Sequence, residues 1–233
     1  MTFGTIGIIG AMREEIELLL AQTDNKQTES HAGITYYRGV FHGKEIVLTR
    51  SGVGKVNAAV CTQILIDKLG ADVVLFTGVA GAVDPVLNIG DIVVSSSCLQ
   101  HDIDVTALGF PGGTVPYQDV SEYEADQRLI ALAEQAGRKL YPGRCKVGKI
   151  LSGDQFIADR AVVQSLYEQF GGACVEMEGA SVAQTCFMNG VPYVVIRSMS
   201  DKADGSAHVN FAEFTVEASN RSYAIVEEIV KSL

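Results

Sequence analysis

The sequence predicts an α/β fold of three layers, with a central mixed, mostly parallel sheet between helices. Three observations carry that expectation. Strands read as unbroken apolar runs, such as ADVVLFTGVAGAV (71–83) and VPYVVIRSMSD (191–201), the pattern of strands buried on both faces. They alternate with helical segments along the chain, the order that βαβ crossovers impose. No linker, composition break or repeat divides the 233 residues, so one domain over 1–233 is expected.

Each element has its own signal. GTIGIIGAM (4–12) reads as a buried strand, followed by a helix at 14–22 with Ile16, Leu19 and Leu20 on one face. TYYRGVFHG (35–43) and KEIVLTRSG (44–52) read as strands joined by a His42-Gly43 turn. GVGKVNAAVCTQILIDKLG (52–70) predicts a helix opened by glycines and closed by Gly70, with Val56, Val60 and Ile64 in register. Strands follow at 71–83 and in DIVVSSS (91–97). The Gly- and Pro-rich stretch 106–120 predicts a long loop, a frequent seat of function. A helix is expected over 121–140, opened by Ser121 with Glu124 as a capping box. KVGKILSGDQFI (146–157), ACVEME (173–178) and VPYVVIRSMSD give three more strands, with helices at 161–170 and 179–189 between them. The last helix is expected from near Asn210.

Composition narrows the function. A net charge of −10, with no basic stripe, disfavours a nucleic-acid surface. Apolar runs are strand-length, so no membrane span is expected. The start, MTFGTIGIIGAM, lacks the basic region of a secretory signal. Five widely spaced cysteines without a CxxC, and four histidines without ligand spacing, predict a reduced, cytoplasmic protein with no metal and no cofactor.

In α/β sheets, ligands bind beyond the carboxyl ends of strands. Several strand ends deliver carboxylates there: Glu14 and Glu15 after the first, Glu176 and Glu178 in VEMEG, and Asp201 in RSMSD. Each has a duller explanation. Acids are favourable at helix starts, which accounts for Glu14, Glu15 and Glu178 equally well. Asp201 could cap a helix or pair with Arg197. GVGKV lacks the spacing of a dinucleotide or P-loop fingerprint, and no G-x-S-x-G is present.

Taken in order, GIIGAMREE, SGVGKVNAA, TGVAGA, GDIVVS, HDIDVTALG, SGDQFI, VEMEGASVA and RSMSD resemble the bacterial methylthioadenosine/S-adenosylhomocysteine nucleosidases. These belong to the purine nucleoside phosphorylase and uridine phosphorylase superfamily, so a nucleoside phosphorylase-like domain is implied. The resemblance implies hydrolysis of the bond between ribose C1′ and adenine N9. It makes Asp201 the acid that protonates N7, with Ser200 orienting it and Arg197 behind it. Glu15 becomes the base that activates water. Glu178 would hold the ribose hydroxyls, Met177 would pack on the sugar, and Glu176 would be a nearby ribose or structural contact. Phe156 would stack on adenine, and the Ile157 backbone would read its edge. Gly81 joins these substrate contacts. The apolar 5′-substituent would meet Met12, Val53, Val105, Leu108 and Phe211, with a homodimer partner's loop around Pro116 closing the pocket.

Two features bear on the nucleophile. Phosphorolysis needs a phosphate site built from cations. Leu75-Phe76 precede TGVAGA where an arginine would be wanted, and Arg13 is expected to point outward, so water is the expected nucleophile. Val79 stands where some members of the family carry serine, which removes a hydroxyl from the expected water site. A nucleosidase acting on aminodeoxyfutalosine would use the same residues, and a purine nucleoside phosphorylase is a further alternative.

Overall fold

A computed structural model, which describes residues 3–202 and 207–233, gathers ten strands into one mixed sheet. In chain order the first elements are β1 (Ile6–Gly10), α1 (Arg13–Gln22), β2 (Asp24–His31), β3 (Ile34–Phe41), β4 (Lys44–Arg50) and α2 (Lys55–Asp67). Then come β5 (Val73–Ala82), β6 (Ile92–Gln100), β7 (Glu122–Glu124), α3 (Gln127–Leu140) and β8 (Cys145–Ser152). The chain ends with α4 (Arg160–Phe170), β9 (Cys174–Glu176), α5 (Gly179–Asn189), β10 (Tyr193–Asp201) and α6 (Ala207–Ser232).

Every residue of β5 and β10 is buried, as continuous apolar runs require. Two parallel blocks build the sheet. β4, β1, β5 and β10 form the first, and β6, β8 and β9 the second. The blocks oppose each other: β10 pairs antiparallel with β6, and β5 meets β9 only at Gly81–Val175 and Ala82–Cys174. Because β5 also pairs with β10, five strands close into a ring and leave no free edge there. β5 enters this overlap only with its last two residues, and β9 ends one residue beyond it, so both blocks point their strand ends at one place. Helices α1, α3 and α6 pack as one group against the sheet, and α2 with α5 as another.

Four sequence expectations change. β2, DNKQTESH, is a polar edge strand with no apolar signal; it forms because the Ala32-Gly33 turn, with φ of 50° and 74°, folds it onto β3. The 121–140 segment is not one helix. Its first residues pair with β6 as β7, and α3 starts after Asp126, whose side chain accepts the Arg128 and Leu129 N–H groups. Ser121 instead accepts a hydrogen bond from Val115 N at 2.9 Å, so the expected capping box does not form. On α2 the packed face is Ala58, Cys61, Thr62 and Leu65, while Val56 and Val60 face outward. Finally, α6 starts at Ala207 rather than near Asn210. No helix among the described residues is long and apolar enough to cross a membrane.

Candidate active site

Where the strand ends converge lies a cleft of about 310 Å³. Glu15 occupies the first turn of α1, as a helix-start acid would, yet its carboxylate turns back under the strand ends. Oε2 accepts N–H groups from Ala11 at 2.6 Å and Met12 at 3.0 Å, and Oε1 accepts that of Val79 at 3.1 Å. The neighbouring Glu14 stays exposed. Burial raises the Glu15 carboxyl above its ordinary range, outweighing the Arg197 charge and the three donors. Space explains the glycine of TGVAGA: a Cβ on Gly78 would stand 2.5 Å from Glu15 Oε1 and 2.7 Å from an Arg197 nitrogen.

Arg197 does not line the cleft. It is 1% exposed, its guanidinium lies 3.9 Å from the Phe76 ring centroid, and it donates to Glu176 Oε2 at 2.6 Å. A guanidinium in the core requires a charged partner, and Glu176 supplies it. Arg197, named with the substrate-binding residues on the strength of the resemblance, thus sits beneath the cleft and outside its lining. The ion pair also explains Glu176, whose oxygens further accept the Gly179 N–H at 2.8–2.9 Å, the Glu178 N–H at 3.2 Å and the Ser152 hydroxyl. Glu176 borders the cleft, but its carboxylate is committed to the structure beneath.

Glu178 opens α5 and is 5% exposed. Its Oε1 accepts the Gly54 N–H at 2.8 Å, which ties it to the start of α2. Burial first, and then the Glu176 charge, push its carboxyl up to about 8. Asp201 ends β10 at 2% exposure, and the Ser200 hydroxyl donates to its Oδ2 at 2.8 Å. Neighbours on a regular strand face opposite sides, yet Ser200 and Asp201 both line the cleft. The β10–β5 register shifts between Met199 and Asp201, so a bulge at Ser200 re-aims the strand end.

Apolar walls complete the cleft: Met12, Val53, Phe156, Ile157, Met177 and Phe211, with Gly81 at its base. The Phe156 and Phe211 rings meet edge to face, 5.7 Å between centroids. Among the described residues the lining carries Glu15, Glu176, Glu178 and Asp201 and no Lys, Arg or His. Arg13 points away, paired with Glu17 at 3.1 Å. Val105, Leu108 and Pro116 do not line the cleft; Leu108 lies in the long loop, 68% exposed. Ala11, Ala80, Gln155 and Val175 were not anticipated as lining. Gln155 had a signal, its place inside SGDQFI, while Ala11, Ala80 and Val175 sit at or near the ends of β1, β5 and β9.

Residues 5–231 match the model of the phosphorylase superfamily. A 5′-methylthioadenosine/S-adenosylhomocysteine nucleosidase of Staphylococcus haemolyticus is 41% identical over 230 residues, 98% of this chain and 100% of that protein. The nucleosidase of the same name from Neisseria meningitidis, solved with methylthio-immucillin-A, superposes with a TM-score of 0.95 at 41% identity, covering 99% and 100% of the two chains. A futalosine hydrolase of Helicobacter pylori gives a TM-score of 0.94 at 37% identity, covering 98% of each chain. With this site at the meeting of its strand ends, the chain belongs to the phosphorylase superfamily and, within it, to the 5′-methylthioadenosine/S-adenosylhomocysteine nucleosidase family.

Proposed function

We propose that the protein hydrolyses the N-glycosidic bond of 5′-methylthioadenosine and S-adenosylhomocysteine, and of 5′-deoxyadenosine, releasing adenine and the 5-substituted ribose. One observation carries this reading: among the described residues, four carboxylates and no Lys, Arg or His line a mostly apolar cleft, with Glu15 fixed by three backbone donors and Asp201 by Ser200. A phosphate dianion is disfavoured beside these carboxylates, so water attacks.

Protonated Asp201 delivers its proton to N7 as the C1′–N9 bond breaks and its electron pair goes to the purine. Water bonds to C1′ and gives its proton to Glu15. Glu178 accepts the ribose hydroxyls, and in its ionised form its charge favours the cationic sugar of the transition state. Phe156 and Ile157 receive the purine, Met177 packs on the sugar, and Met12, Val53 and Phe211 take the apolar 5′-group. Val79 contributes only its backbone N–H to Glu15, so the water is held through the carboxylate.

The mouth of the cleft is open, with Val53 49% and Phe156 51% exposed, and the neighbouring surface of α2 and α5 exposes Val56, Val60, Phe187 and Met188. This supports a homodimer in which a second copy brings Val105, Leu108 and Pro116 over the 5′-end. Five unpaired cysteines are consistent with a reducing cytoplasm, and the substrates with methionine salvage. The likeness to a futalosine hydrolase fits the alternative reading, a nucleosidase acting on aminodeoxyfutalosine.

Adenine release from methylthioadenosine, measured with and without phosphate, tests the reading. Equal rates and a free reducing sugar are expected, and Asp201→Asn should lose about 10²–10⁴-fold in kcat. A rate that requires phosphate would overturn hydrolysis. Comparing kcat/KM for methylthioadenosine and aminodeoxyfutalosine ranks the substrates.

A further inference from the structure

Three segments distant in sequence meet beside the cleft in a closed circuit of polar contacts. Asp102, just after β6, accepts the Lys55 ammonium on Oδ1 at 2.7 Å and the Asp154 N–H on Oδ2 at 3.0 Å. Asp154 in turn accepts the Lys55 N–H on Oδ1 at 2.8 Å. Lys55 is the first residue of α2, and the preceding Gly54 donates its N–H to Glu178. The opening N–H groups of a helix have no partner within it. Gly54, in the capping position, has no side chain to offer, so carboxylates from two remote segments serve instead.

Local conditions make the circuit firm. The Lys55 and Asp102 side chains are each 19% exposed, so their charge pair is better shielded than one at the open surface. Burial alone would raise the Asp102 carboxyl, but the Lys55 ammonium and the Asp154 N–H outweigh it and hold the group below its usual range. On the other side of the loop, His101 packs against Gly153, where a Cβ would come within 2.5 Å of the imidazole Nε2. Gly153 and Asp154 are therefore held between ring and ion pair. They lead directly into Gln155, Phe156 and Ile157, which form one wall of the cleft.

Neither Lys55 nor Asp102 lines the cleft. We propose that they are positioning residues for base recognition: through Asp154 they fix the Gln155–Ile157 wall against the start of α2 and so set the affinity for the purine half of the substrate. This rests on the purine-nucleoside reading of the cleft. The affected interactions are those of the base, while the sugar is assigned to Met177 and Glu178, which reach the cleft from the end of β9 and the start of α5.

The test compares Lys55→Met and Asp102→Ala with the parent, and Lys55→Arg as the variant that keeps the charge. Adenine Kd is measured by calorimetry, KM and kcat for methylthioadenosine by adenine release, and binding of 5-methylthioribose as the sugar-side control. Adenine Kd and KM should rise about tenfold, equivalent to ~1.4 kcal/mol. In contrast, kcat should fall by less than that, methylthioribose binding should stay within twofold, and Lys55→Arg should restore most of the adenine affinity. Thermal unfolding of each variant identifies any that fail to fold, and each member of the pair tests the circuit independently. If the parent turns over substrate while both variants bind adenine as tightly as it does, the positioning role is wrong and the function stands. Equal weakening of adenine and methylthioribose would likewise reduce the circuit to general scaffolding. A parent that neither binds nor releases adenine would overturn the reading of the cleft and this proposal with it.

Discussion

Glu176 and Glu178 stand two positions apart in VEMEG and are used oppositely. Glu176 turns inward to Arg197, which neutralises it, while Glu178 faces the cleft with one N–H on its carboxylate and that neighbouring charge beside it. Burial first, and then the Glu176 charge, raise its carboxyl from 4.5 to about 8, against the smaller opposing pull of Arg197 and the Gly54 N–H. The folded state then holds this proton more tightly than the unfolded chain. Its contribution to stability is full below pH 4.5 and is lost as pH rises through about 8. Glu178→Gln keeps an acceptor for Gly54 and removes the titration. Its Tm relative to the parent should climb between pH 4.5 and 8.5, by ~2–4 °C for each kcal/mol relieved, while activity collapses. A Tm difference independent of pH would show that Glu178 titrates normally. Both glutamates could be read from sequence as strand-end acids; their division of labour could not, because it depends on which one meets the buried guanidinium.

Elements matter here through their ends. A strand of ten buried residues, β5, carries TGVAGA past Glu15 and Arg197 with no room for a side chain at Gly78. Gly78→Ala should force the Glu15 carboxylate or the guanidinium aside and lower kcat by about 100-fold, the cost of a misplacement near 1 Å. Steady-state kinetics of the folded variant checks this; an unchanged kcat would mean that the pair relaxes freely. The β10 bulge at Ser200 is the complementary device, giving one strand end two cleft-facing side chains. Apolar content made both strands legible. The bulge left no mark in RSMSD, since it depends on register with β5. Helix α2 was legible as a helix and misleading as a face: its valines follow a helical period, yet Ala58, Cys61, Thr62 and Leu65 do the packing.

Across the whole molecule, that outward valine stripe acquires a use if a second copy covers it. Val56 and Val60, 74% and 39% exposed, lie on α2, which begins two residues after the cleft-lining Val53. Replacing both valines with aspartate should leave the monomer folded, since neither side chain is buried. It should shift the species seen by light scattering from dimer to monomer and lower kcat/KM by at least about tenfold, through loss of the apolar 5′-pocket. A variant that stays dimeric, or a monomer of full activity, would remove the partner from the site.

The sequence by itself determined the α/β class, the order of nearly all strands and helices, and the positions of Glu15, Glu178 and Asp201 at strand or helix ends. Those properties reside in local composition and period, which short stretches carry on their own. Tertiary structure alone decided that the two parallel blocks run head to head and overlap at Gly81 and Val175, bringing those ends to one cleft. It also decided that Arg197 is a buried counter-ion, that Val56 and Val60 face outward, and that a polar stretch becomes β2. The physical reason is common to all four: which groups meet, and so which charges need partners and which apolar faces need cover, is set by pairing between segments distant in the chain.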